Sequence, residues 1–114
     1  RNEMATVQAF TIRAGDYGEE LDFYLLDENG AVYVIPGGAT VTFECRLDGA
    51  STLFRSDTAH GTTVDGPGGQ LRYTVQSGDF DAGDQGSYFV RMKVNNITAG
   101  EVPLTVLADQ SMPA

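Results

Sequence analysis

His60 is the only histidine in the chain, and it lies in Asp57-Thr58-Ala59-His60-Gly61, three residues after a carboxylate. An aspartate, a histidine and any of several serines are the parts of a hydrolytic triad, in which the carboxylate orients an imidazole that takes a proton from the nucleophile. No nucleophile elbow or other supporting context accompanies them, so His60 reads as a solvated loop residue. Asp79-Phe80-Asp81-Ala82-Gly83-Asp84 gathers carboxylates as a calcium loop does. It lacks the alternating ligand spacing and the closing bidentate Glu of such a loop, and reads as an acidic turn. A glycosidase needs two carboxyls about 5–10 Å apart in a cleft, whereas the acids here fall on polar strand faces and in turns. Cys45 is the only cysteine. It alternates with Phe43 and Leu47, and no cation flanks it on that side to lower its pKa, so it reads as a small buried hydrophobe. Alone, it can neither close an internal disulfide nor build a thiolate metal site. Gly66, Gly68 and Gly69 lead into no helix and make no phosphate loop. The expectation is a protein without catalytic residues, metal site or cofactor, and not an enzyme.

Charge narrows the partners. Sixteen Asp and Glu against seven Lys and Arg leave a formal charge of −9 on 114 residues, which repels phosphate backbones and anionic headgroups. Nucleic acid is therefore not an expected partner. No stretch approaches the roughly 20 consecutive apolar residues of a spanning helix, so no membrane insertion is expected either.

The elements that must position these residues are strands. In Ala39-Thr40-Val41-Thr42-Phe43-Glu44-Cys45-Arg46-Leu47 every odd position is apolar and every even one polar, the period of a pleated strand with one face in a core. The same alternation sends Leu21, Phe23 and Leu25 inward, then Leu71, Tyr73 and Val75, then Tyr88, Val90, Met92 and Val94, and last Val102, Leu104 and Val106. A less regular first strand spans about 7–12. Turns are written between them: Asn29-Gly30 and Asp48-Gly49 tolerate the positive φ of a tight reversal, and 66–69 and 99–100 separate the later strands. Short strands at 8–12-residue spacing indicate a sandwich or small barrel. One domain is expected over 1–107, with 108–114 a patternless tail.

Asp84-Gln85-Gly86-Ser87-Tyr88 leads straight into a strand and spells a tyrosine corner, with Asp84 and Gly86 forming the turn and the Tyr88 hydroxyl reaching back to the upstream backbone. Val90 stands where antibody domains carry a cysteine, and the chain has no tryptophan. The expected fold is therefore all-β: an immunoglobulin-like antiparallel sandwich of about seven strands, without a disulfide and closed by apolar packing.

Together, Gly15-Asp16, the run from Leu21 to Gly30, Gly38-Ala39-Thr40-Val41-Thr42-Phe43, Gly69-Gln70-Leu71-Arg72-Tyr73 and Gly86-Ser87-Tyr88 resemble the N-terminal Ig-like domain of tailed-phage baseplate upper proteins. The resemblance covers about 12–106, and its most telling piece is Gly-Ala-Thr-Val-x-Phe. It implies a structural module of a phage virion, in the tail or baseplate, that contacts other virion proteins and forms a homo-oligomer within the particle. Tyr24 and Phe89 fall on outward positions, with Tyr33 and Phe54 alongside them as candidate interface aromatics, and Tyr24 and Phe89 are candidates for one contact patch. The alternative is a carbohydrate- or host-receptor-binding module in which loop carboxylates and aromatics such as Tyr33 or Phe54 hold a sugar.

Overall fold

The computed structural model describes residues 9–27, 29–81 and 83–107. Among them are nine strands: β1 (Phe10–Arg13), β2 (Glu20–Tyr24), β3 (Val41–Leu47), β4 (Arg55–Asp57), β5 (Gly61–Asp65), β6 (Gln70–Thr74), β7 (Gly86–Val94), β8 (Ile97–Thr98) and β9 (Val102–Leu107). They form two layers. One sheet has the order β1-β9-β7-β3-β4, with β8 also on β7, and the other has the order β2-β6-β5. This is an immunoglobulin-like sandwich. No described helix is long and apolar enough to cross a membrane.

The two layers exist because each strand carries one greasy edge of the period-two pattern. Leu21 and Phe23 from β2, Leu71 and Tyr73 from β6, Val41, Phe43 and Cys45 from β3, and alternate residues of β7 and β9 are all buried in one core. Two ring pairs cross between the sheets. Phe43 lies flat on Tyr73 with centroids 3.8 Å apart, and Phe10 meets Phe23 edge-on at 5.0 Å, the second a geometry in which aromatic pairs attract beyond their buried area. Val90 is fully buried, as are Phe23 and Leu25. Apolar packing therefore fills the place of an inter-sheet disulfide.

Several local expectations are corrected. The first strand begins at Phe10, and residues 7 and 8 lie outside the described ones. It pairs with β9 in parallel, from Phe10 opposite Leu104 to Arg13 opposite Leu107, whereas the other named pairings are antiparallel. Asn29-Gly30 does not join two full strands, because β2 stops at Tyr24 and only a single bridge, Leu26 to Val32, follows it. The turn is held instead by Asp27, whose carboxylate accepts the Asn29 and Ala31 amides at 2.9 and 3.0 Å. Leu47 keeps the inward parity but is the last residue of β3, and is 44% exposed. Glu44, on the outward face, is only 8% exposed, because Arg91 lies against it with Nε 2.7 Å from the carboxylate.

Candidate interaction surface

At the start of β7, Gly86 has φ of 147°, in the region that side chains avoid and glycine tolerates. The backbone can thus turn sharply out of Asp84-Gln85 and into the strand. Tyr88, one turn of the pleat further on, donates its hydroxyl to the Asp84 carbonyl at 2.7 Å. Its ring is buried, and burial is the main cause of a phenol pKa above the ordinary value, with the Asp84 charge adding to it. Asp84 also caps the turn, accepting the Asp81 amide at 2.9 Å.

A second polar device, which alternation alone does not reveal, joins the layers at the same end. Tyr73 is fully buried, yet its hydroxyl donates to the carboxylate of Asp79, itself buried in the loop after β6. Asp79 also accepts the Gln76 amide at 2.9 Å and pairs with Arg55 at 3.5 Å. Arg55, from β4 in the opposite sheet, grips the Asp79 carbonyl at 2.9 Å and the Gly78 carbonyl at 3.3 Å. Burial, reinforced by Asp79, pushes the Tyr73 hydroxyl well above the ordinary tyrosine range. The sequence held one clue: a tyrosine at an inward position must find a partner for its hydroxyl, and an acidic loop begins six residues later.

Asp57, next but one to Arg55, accepts His60 Nδ1 at 2.8 Å and the amides of Ala59 and His60 at 2.7 and 3.0 Å. Burial works against the Asp57 carboxylate, but the bonds from His60 and the two amides outweigh it and hold its pKa below the usual value. An aspartate–imidazole pair therefore exists. Its chief effect is to fold the β4–β5 turn, and among the described residues no hydroxyl or thiol is bonded to the imidazole as a nucleophile. Cys45 is buried, and burial raises its thiol to about 12, so almost no thiolate forms at neutral pH. Among the described residues no group of three or more His, Cys, Asp or Glu is placed to hold a metal ion.

The four interface aromatics do not converge. Tyr24 is on β2 and Phe89 on β7, in different sheets, so outward positions on the two strands face opposite sides of the sandwich and cannot share a patch. Phe89 is half-buried beneath the Arg46 guanidinium, 4.9 Å from the ring centre. That guanidinium holds Glu101 by two bonds of 2.5 and 2.7 Å, which keep the Glu101 carboxyl below its ordinary value. Tyr33 packs against the core beside Leu25, whose carbonyl accepts its amide at 3.0 Å. Phe54 lies at the other end of the molecule, its ring 5.8 Å from Phe80 and 5.2 Å from Tyr88. Tyr33 stands by the start of β6 and Phe54 by the loop that follows it, so no single sugar ring stacks on both.

The described residues expose apolar side chains in several places, Tyr17, Val32, Val34 and Val64 among them. The β3–β4 loop, with Leu47 at the end of β3 before it, carries Leu53 and Phe54, and the three are 44, 43 and 37% exposed. It folds back so that the Ala50 amide reaches the Leu47 carbonyl and the Phe54 amide the Cys45 carbonyl, at 2.9 and 2.7 Å. No model of a known protein family matches the chain, and no curated protein matches it in sequence.

Proposed function

We propose that this chain is a non-enzymatic assembly module of a phage virion, in the tail or baseplate, repeated in several copies and joined to other virion proteins by surface contacts. The observation that carries the reading is the exposed Leu47–Phe54 end of an otherwise well-filled sandwich, since grouped apolar side chains on a soluble surface mark contact sites. The resemblance to baseplate upper proteins supports the virion setting, and four of the five segments that carry it lie beside or run into a strand: Gly15-Asp16 after β1, Gly38 to Phe43 into β3, Gly69 to Tyr73 into β6, and Gly86 to Tyr88 opening β7, while the run from Leu21 to Gly30 begins in β2 without forming the full hairpin. The side chains with chemical potential are occupied by folding. Asp57 and His60 close a turn, Asp79 clasps the two sheets, and Cys45 is a core residue.

Mass spectrometry of purified virions from the strain that encodes the chain tests the reading. The expected result is the chain present at a fixed ratio to a tail protein through successive purifications. Its loss on purification, or its recovery only from the lysate, overturns the proposal.

A further inference from the structure

Building on the assembly reading, we infer that the Leu47–Phe54 end docks a basic, apolar segment of a partner protein. The surface has two independent parts. The first is apolar: Leu47, Leu53 and Phe54 are exposed, and the Phe54 ring rests on the buried Phe80 and Tyr88 rings, 5.8 and 5.2 Å away. The second is its rim of carboxylates. Asp48 follows Leu47, and its amide donates to the Ser87 carbonyl at 2.9 Å, which fixes it beside the corner. Asp81 and Asp84 follow Phe80 and cap one another's amides, Asp84 through its carboxylate and Asp81 through its carbonyl.

The nearby cations offset only part of this rim. Arg55 is turned inward onto Asp79 and the Gly78 and Asp79 carbonyls, and Arg46, which feels the Asp48 charge, places its hydrogen bonds on Glu101 and the Ala50 carbonyl. A complementary occupant therefore brings apolar side chains to the centre and Lys or Arg to the edge, an arrangement that steers encounter and fixes orientation. A second copy does not fit: it would set the same carboxylates against each other on chains that each carry −9.

The test uses three 15-residue peptides, alternating Arg/Leu, Glu/Leu and Arg/Ser, titrated into the full chain and followed by backbone NMR shifts at 50 and 300 mM salt. The expected result is that Arg/Leu binds at least fivefold tighter than the other two, shifts amides in 47–54 and 80–88, and weakens at the higher salt. Asp48→Asn with Asp81→Asn reduces the salt dependence, and Leu53→Ser weakens binding several-fold while leaving the thermal midpoint near that of the parent. Equal binding of all three peptides, shifts confined to the Tyr33 end, or self-association through Leu53 in sedimentation overturns the inference. The two proposals fail separately. A chain present in virions whose Leu53→Ser variant is incorporated normally removes this docking site and leaves the assembly role, whereas a chain absent from virions removes the role whatever the peptides show.

Discussion

Tyr73 and Tyr88 are both inward tyrosines, but their hydroxyls do different work, and the difference is measurable. Tyr88 satisfies one carbonyl at the edge of the core, so Tyr88→Phe costs about 1 kcal/mol, the net value of an ordinary hydrogen bond. Tyr73 donates to a buried carboxylate. Tyr73→Phe leaves that group short of a donor and costs more, about 1–3 kcal/mol, and urea titration of the two variants should rank them so. Both hydroxyls have pKa values raised by burial from the ordinary 10.0. The stability they contribute is complete below pH 10 and declines above it, where the unfolded tyrosines ionise first. The alkaline fall in thermal midpoint is therefore shallower in Tyr73→Phe than in the parent. Glu101 behaves oppositely: Arg46 holds its pKa below 4.5, so its contribution is full above that pH and is lost as the pH drops further. Glu101→Gln should therefore lower the thermal midpoint slightly at pH 7, where the pair contributes in full, and the difference from the parent should shrink as the pH falls below 4.5. At this scale the corner was legible in the sequence, since Asp84-Gln85-Gly86-Ser87-Tyr88 specifies both a turn and a tyrosine. The Tyr73–Asp79–Arg55 clasp was not, because its partners come from two sheets and a loop whose juxtaposition no local pattern encodes.

The strands were legible wherever one face meets the core, as in β2, β3, β6, β7 and β9, because a one-residue slip would turn every apolar side chain to water. Where that constraint lapses, alternation offers no such guide. β4 is three residues, its ends held by Arg55 and Asp57, β8 is two, and Leu47 keeps its inward parity at the end of β3 yet is exposed. Turns separate in the same way, by what surrounds them. Gly69 has φ of 72°, and an added Cβ would lie 2.8 Å from the Tyr33 carbonyl oxygen and 2.9 Å from that of Leu25, whereas Gly18, at φ of 88°, has open space around it. Gly18→Ala therefore costs only the left-handed backbone term of about 1–2 kcal/mol. Gly69→Ala costs more, because two backbone oxygens must move and the Leu25–Gly69 and Tyr33–Leu25 hydrogen bonds with them. Parallel thermal melts check the order, and equal midpoints would show that the 32–35 segment gives way freely.

For the whole molecule, the choice of sheet decides which surfaces can act together. Alternation showed that Tyr24 and Phe89 leave the core, but only the strand order shows that they leave it on opposite sides. It also shows that the loops around Leu47, Phe54, Phe80 and Asp84 meet at one end, with β1 and β9 running alongside. That end joins exposed apolar side chains to several carboxylates on a chain already at −9, so its contacts should weaken with salt more than those of a purely apolar patch. The most direct measurement is an electron cryomicroscopy map of the tail of virions that carry the chain. The account predicts density for a two-layered sandwich in several symmetry-related copies, with the Leu47–Phe54 loop seated against a neighbouring protein. A complete tail map with no such sandwich in it would contradict the account.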